Sequence, residues 1–366
     1  MQNHVVIPKY PPVFIARVVD SVRWFFIRLS RRLAPANVVV FDMLQQFWLS
    51  KAIGVAAELG IADILKKSPE NIDDLACKTD CNKDALLRMM RVLASNGIFK
   101  ERKDGCFVIT TLSEALCEGE NTMKHMIIHH QNPAHWAMFG ELMETVKTGE
   151  SISDKVLGME PFEFLAKNPV RNATFNLAMS DSSKMLAAAV LSVYDFSPYN
   201  TIADIGGGQG YLLASILYKH QSLRGILFDQ AHVVKNAAET FDYFKVNERA
   251  EIVEGSFFEH VPGNANAYLL KSIIHDWKDE ESIRILSNIH HFMPENAKIL
   301  ILEAIIEKGN KPSLAKMLDL LMLVVKKGGK ERTAEEYSCI LDRSGFKVVK
   351  IYKTVSPFCI IEAVKK

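Results

Sequence analysis

From residue 201 to the C-terminus the chain alternates between two patterns, and that rhythm constrains its fold more than any other feature. Short β-rich runs fall at 201–205, 224–229, 250–254, 267–274, 298–303, 346–354 and 358–365, with helical stretches between most of them. Such alternation builds a doubly wound α/β sheet, because parallel strands need a helix-length crossover. The last two runs are joined only by a short loop at Ser356-Pro357. They are expected to pair as an antiparallel hairpin at the sheet edge. Open sheets of this kind bind ligands beyond the carboxyl ends of their strands.

The first strand runs into Asp204-Ile205-Gly206-Gly207-Gly208-Gln209-Gly210, ahead of a helical run from Tyr211 to Tyr218. Glycines let the backbone turn sharply and let a ligand approach main-chain N–H groups. The spacing is G-x-G-x-G, so the dinucleotide fingerprint G-x-G-x-x-G fails. No Lys-Ser/Thr pair follows, which excludes a phosphate-cradling P-loop. Alone, the loop also reads as a plain strand-to-helix turn. Asp229 ends the second strand, 19 residues after Gly210. An acid there can accept hydrogen bonds from both hydroxyls of a ribose, or can cap the next helix. A nucleoside without pyrophosphate fits this spacing, and S-adenosylmethionine is one.

The fourth run ends in Leu270-Lys271-Ser272-Ile273-Ile274-His275-Asp276-Trp277, which delivers His275 to the same edge. An imidazole with an ordinary pKa of about 6.5 can take a proton near neutral pH. A phenolic hydroxyl, near pKa 10, attacks a sulfonium methyl better as that proton leaves. The fifth run ends at Leu302-Glu303, whose carboxylate can orient a neighbouring imidazole. Glu331 lies in Gly328-Gly329-Lys330-Glu331-Arg332-Thr333, and Thr333 with Glu336 reads as a capping box. Glu331 either faces the cleft or is a solvated turn acid.

Upstream, Val13 to Leu33 reads as one helix with Ile15, Val18, Val19, Val22, Phe25, Phe26, Leu29 and Leu33 on one face. Arg17, Arg28, Arg31 and Arg32 fall opposite. This basic arm suits packing on the body or on a second subunit, or contact with a membrane surface. Residues 38–66 continue as helix with a stop at Gly60, a short helix starts at Ile72, and Asn82 caps another that ends at Gly97. Two short strands at Ile98-Phe99-Lys100 and Phe107-Val108-Ile109 flank an Asp104-Gly105 turn, completing a winged-helix pattern. Its candidate recognition helix is mostly apolar, and a net charge of +1 gives no general pull toward nucleic acid. Residues 112–196 are mostly helical and carry His125, His129, His130, His135, Trp136, Phe175, Met179 and Met185. Together these suit the wall of an apolar pocket with polar points. No zinc-protease spacing accompanies the histidines, so no metal is expected. Six cysteines without a CxxC pair read as reduced thiols, and the chain has neither a signal-peptide pattern nor an unbroken apolar run of about 18 residues. A cytoplasmic protein is expected.

These motifs, in this order, resemble the plant-type small-molecule O-methyltransferases, including caffeic acid and acetylserotonin O-methyltransferases and bacterial members from polyketide and pigment pathways. The resemblance runs from about residue 40 to the C-terminus and rests on Asp204–Gly210, Phe228-Asp229, Leu270–Trp277 with Asp279-Glu280, and Gly328–Thr333 with Tyr337. It implies a Rossmann-like class I methyltransferase with an N-terminal, mainly helical winged-helix dimerisation domain, working as a homodimer. The chain is thus expected to divide into a basic arm (1–36), which lies outside the plant pattern, a dimerisation domain (37–112), a helical linker and acceptor-pocket region (113–196) and a catalytic domain (197–366). It further implies His275 as general base, flanked by Glu303 and Glu331. S-adenosyl-L-methionine would be held by Gly206, Gly208, Asp229, Ser256, Phe257 and Lys271. Phe175, Met179, Met322 and Lys326 would line the acceptor pocket.

Two positions depart from the family. Ser256, in Glu254-Gly255-Ser256-Phe257, stands where an acid usually holds the adenine amine, and Lys326 replaces a pocket asparagine of plant members. The acceptor is therefore expected to differ from the plant phenylpropanoids, with Lys326 able to meet an acidic group. Two rival readings keep parts of the scaffold: non-methylating chemistry such as hydroxylation, and a winged-helix DNA-binding regulator.

Overall fold

The structure, a computed structural model, describes residues 10–119 and 122–366; the start of the arm, residues 1–9, lies outside the described residues. The described chain forms two compact units, one of residues 18–136 and 170–182, the other of residues 10–17, 137–169 and 183–366.

The helical unit takes most of α1 (Val13–Arg32), then α2 (Ala36–Glu58), α3 (Ile61–Lys67), α4 (Ile72–Thr79) and α5 (Lys83–Ser95). Pro35 separates the first two helices. Gly60 at φ +64° makes the stop between α2 and α3. The Asn82 side chain accepts the Ala85 N–H at 3.0 Å and so caps α5. Strands β1 (Phe99–Glu101) and β2 (Phe107–Ile109) pair antiparallel as the wing. Beyond them lie α6 (Thr111–Glu114), α7 (Lys124–His130) and the start of α8 (Pro133–Gly140). The unit's core gathers Ala56, Ile61, Leu65, Leu75, Leu86, Met90, Leu93, Phe99 and Phe107. Among the described residues α2 is long and apolar enough to cross a bilayer, although no unbroken apolar run marks it in the sequence. Its C-terminal half joins this core through Ala56, with Leu49, Ala52 and Ile53 packed against it.

The second unit holds α9 (Leu142–Thr148), α10 (Ser153–Leu157), α11 (Pro161–Lys167) and the end of α12 (Pro169–Leu191). The sheet follows as β3 (Thr201–Ile205), α13 (Tyr211–Lys219), β4 (Arg224–Asp229), α14 (Ala231–Val234), α15 (Ala237–Phe244) and β5 (Ala250–Glu254). It continues with β6 (Ala267–Lys271), α16 (Asp279–Phe292), β7 (Lys298–Ala304), α17 (Leu314–Val325), α18 (Ala334–Arg343), β8 (Phe346–Lys353) and β9 (Phe358–Lys365). Strand order is β5-β4-β3-β6-β7-β9-β8. The first five strands are parallel, and β9 runs antiparallel to both β7 and β8. The expected hairpin forms, with β9 inserted inside the sheet and β8 at its edge.

Side chains alternate between two cores, as the period of a strand requires. Ile202, Leu227, Leu269 and Leu300 face one, while Ala203, Ile226, Tyr268 and Ile301 face the other. One strand is shorter than the β-rich run suggested: β6 stops at Lys271, not at 274. Ser272 turns to φ +54°, and a 3-10 turn spans Ile274–Asp276. The cause lies in the neighbouring strand and is described below.

Candidate active site

The turn between β3 and α13 is built by three glycines in the left-handed region: Gly206, Gly208 and Gly210 at φ +69°, +63° and +72°. A Cβ on Gly206 would collide with Ile273, and one on Gly210 would lie 2.8 Å from the Phe241 ring. At Gly208 nothing lies within 4 Å of that position, so here the backbone angle alone demands glycine. The Gly208 N–H donates to Asp229 Oδ2 at 2.9 Å, which ties the turn to the end of β4. Asp229 Oδ1 accepts the Gln230 N–H at 2.7 Å. Gln230, rather than Asp229, occupies the cap position of α14. Burial raises the pKa of Asp229, and these two backbone donors hold it back.

Asp204 lies buried beneath the same turn, where Gly207 leaves it room: a Cβ there would sit 2.7 Å from its carboxyl group. Burial, with a smaller push from Asp229 and against the pull of Lys271, raises it to about 7. Its Oδ1 has no hydrogen-bond partner among the described residues. Lys271, at the end of β6, is also buried. Burial lowers its pKa, and Asp204, Glu303 and Asp276 oppose that shift. An unsatisfied buried acid, a buried ammonium group and an acid bound to a glycine turn fit a ligand carrying ribose hydroxyls, an ammonium group and a carboxylate.

Glu303, the last residue but one of β7, has no exposure, and its Oε1 accepts three backbone N–H groups: Ile273 at 3.0 Å, Ile274 at 2.9 Å and His275 at 3.3 Å. This carboxylate pulls the chain out of strand geometry after Lys271 and so produces the tight turn. The imidazole itself is gripped by Glu331, with His275 Nδ1 2.8 Å from Glu331 Oε1 and 3.5 Å from Glu303 Oε2. Glu331 is buried, not a solvated turn acid. Burial alone would lower the His275 pKa; the charge of Glu303 and the hydrogen bond that Nδ1 donates to Glu331 outweigh it and hold the imidazole well above its ordinary value. Burial raises Glu303 in turn, against the opposing charge of His275.

Arg332 is fully buried behind this turn, although sequence alone gave it no role. Its guanidinium donates to the carbonyls of Ile274 at 2.9 Å and Trp277 at 2.8 Å, and to Asp279 Oδ1 at 2.7 and 3.0 Å. It thus fixes both ends of the segment carrying His275. In the sequence it looks like any arginine in a glycine-rich loop. Arg332→Ala removes charged donors from the Ile274 and Trp277 carbonyls and leaves a void, so chemical denaturation is expected to show a loss of about 3 kcal/mol.

The other expected positions divide between the units. Met322 is buried on α17. Lys326 caps that helix, with Nζ 2.9 Å from Glu160 Oε1 and 3.4 Å from the Phe162 ring centroid. Its charge is therefore already balanced. Ser256 Oγ accepts the Phe258 N–H at 3.3 Å, a local turn bond. The Phe257 ring meets those of Phe258 and Trp277 at 5.1 and 6.1 Å. Phe175 and Met179 belong to the helical unit, half-buried on the first part of α12. There the Phe175 ring lies 5.3 Å from that of His129. His129, His130 and His135 bring ring nitrogens within 4.8 Å of one another. Burial lowers the pKa of all three, leaving them neutral. The Asn132 amide nitrogen contacts the His129 carbonyl and His135 Nδ1, so its proton-donating side faces that ring nitrogen.

Residues 139–347 match the O-methyltransferase domain family, and residues 41–119 match the O-methyltransferase dimerisation domain family. The chain belongs to the S-adenosylmethionine-dependent O-methyltransferases. A phenazine O-methyltransferase of Lysobacter antibioticus is 38% identical over 330 residues, covering 90% of this chain and 96% of that one. The crystal structure of LaPhzM superimposes with a TM-score of 0.87, covering 91% of this chain and all of that one. CalO1, a methyltransferase of calicheamicin biosynthesis solved in its SAH-bound form, is 28% identical with a TM-score of 0.79, covering 90% and 98% of the two chains. This O-methyltransferase therefore pairs a Rossmann-like sheet with a helical dimerisation domain.

Proposed function

We propose that the enzyme methylates a phenolic hydroxyl of a small aromatic molecule, with His275 as general base. S-adenosylmethionine, when bound, supplies an electrophilic methyl on a sulfonium sulfur. The observation that carries the reading is the grip on the imidazole. Nδ1 faces two buried carboxylates and keeps its hydrogen, which leaves Nε2 to receive the hydroxyl proton. Glu331 orients the ring and stabilises the imidazolium that forms, while Glu303 holds the turn beneath it. Asp229 accepts from the ribose hydroxyls, Lys271 meets the methionine carboxylate, and Asp204 faces the ammonium group. Gly206 and Gly208 let the ligand approach the backbone. Phe257 covers the adenine, with Ser256 nearby. Met322 and Lys326 meet the acceptor, Lys326 as a balanced cation beside the Phe162 ring. The relative named for phenazine, a fused aromatic, supports an aromatic acceptor. The dimerisation match supports a homodimer, and six free thiols suit the reducing cytoplasm.

Incubation with methyl-labelled S-adenosylmethionine and a panel of phenols is expected to give products heavier by one methylene unit. Label entering none of them, or only amines, would overturn the reading.

The site also sets a pH dependence. The base-competent, neutral form of His275 grows as pH rises through its raised pKa. Glu331→Gln removes one of the charges that raise it, so the acid limb of the kcat profile should move down by roughly one unit. Lost orientation should lower the plateau by roughly tenfold. An unmoved limb would separate Glu331 from the titrating group.

A further inference from the structure

More than half of the large apolar side chains exposed among the described residues lie between Tyr10 and Trp48. Helix α1 has no buried residue at all. Its half-buried positions, Val13, Ala16, Trp24 and Ile27, share one side. The opposite side carries Ile15, Val18, Val22, Phe25, Phe26 and Leu29, with Phe25 61% and Phe26 60% exposed. The arm thus turns its broad apolar stripe outward. Monomeric proteins rarely leave so large a contiguous patch to water.

Two of the arm's arginines have partners within the protein. Arg17, Arg28 and Arg31 lie on the far side of the helix from the stripe, while Arg32 and Arg23 lie toward its two margins. Arg17 stands 3.5 Å from Glu307, and Arg31 lies 5.4 Å over the Trp24 ring.

Continuity supplies the occupant. Only a short break at Pro35 separates α1 from α2, whose first half exposes Val40, Phe41, Leu44, Phe47 and Trp48. The dimerisation match begins at residue 41, inside that same helix. It does not include α1, and LaPhzM is covered completely while part of this chain is left over. We propose that α1 is an added dimerisation arm, its stripe covered by a second copy of this chain in one interface with the exposed face of α2. The proposal rests on the homodimer reading above. In a two-fold dimer each substitution on the stripe acts twice.

The test compares full-length proteins by sedimentation equilibrium. A Phe25→Glu/Leu29→Glu variant is expected to weaken the dimer by at least about 100-fold, because charges replace desolvated anchors on both copies. An Arg28→Ala/Arg31→Ala variant is expected to keep the wild-type dimer constant. Helix content and S-adenosylmethionine affinity check that the apolar variant is folded. If it is not, hydrogen exchange on the wild type replaces it, with protection of residues 13–33 expected to fall as the protein is diluted through its dimer constant. Unchanged dimerisation of the folded apolar variant, or exchange insensitive to dilution, would overturn the arm while leaving the homodimer intact. Wild-type protein that is monomeric at every concentration would overturn the homodimer reading itself. Co-flotation of wild type, but not of the apolar variant, with phosphatidylglycerol vesicles and no change in dimer constant would assign the stripe to lipid instead.

Discussion

His275→Ala is expected to lower kcat roughly a thousandfold while leaving S-adenosylmethionine affinity within about twofold of wild type. General-base catalysis typically contributes about 10²–10⁴-fold, and nothing else in the described site presents a ring nitrogen backed by two buried carboxylates. The residual rate should come from holding the two reactants in line, which the variant retains. Affinity should survive because the proposed ligand contacts lie at the glycine turn, Asp229 and Lys271 rather than on the imidazole. Calorimetry and single-turnover kinetics read the two quantities separately. A variant with intact turnover would remove the base from the mechanism. A variant that also fails to bind would show that the turn had collapsed, and His275→Asn would then be the informative replacement.

The second large effect is expected on binding. Asp229→Asn should raise the Kd for S-adenosylmethionine by roughly 10²-fold or more. Hydrogen bonds to an ionised acceptor contribute about 1.5–3 kcal/mol each, and two ribose hydroxyls are proposed to donate to this carboxylate. The amide also damages the empty site. Both carboxylate oxygens accept backbone N–H groups, from Gly208 and from Gln230. An NH₂ group at either place would oppose a donor with a donor and loosen the glycine turn. At saturating S-adenosylmethionine, kcat should recover much of its wild-type value, since Asp229 touches neither the imidazole nor its carboxylates. Unchanged affinity in calorimetry would refute the assignment of Asp229 to the ribose.

Much of the catalytic unit was legible from local pattern. The ends of the strands fall at the carboxyl edge, so Asp229, Lys271 and Glu303 could be assigned to one side of the sheet. The glycine turn announced its left-handed angles, and the Thr333–Glu336 box appears with Glu336 N–H 3.2 Å from Thr333 Oγ1 and Thr333 N–H 2.8 Å from Glu336 Oε2. The end of β6 was misplaced by three residues because apolar Ile273 and Ile274 continue the strand's composition. What ends the strand is a carboxylate from another strand, which no window over residues 267–277 contains.

The amino-acid order by itself settled the alternation of strands and helices, the side of the sheet that carries chemistry, and the residue types gathered there. These follow from periodicity and backbone angles, which act over a few neighbouring residues. Only tertiary structure decided that Glu331 rather than Glu303 hydrogen-bonds the imidazole, that Arg332 is buried, and that the arm turns its apolar stripe outward. His275 and Glu331 come from separate loops, and a hydrogen bond requires placement to within a fraction of an ångström. That precision comes from the packing of whole strands and helices, and composition along the chain does not carry it.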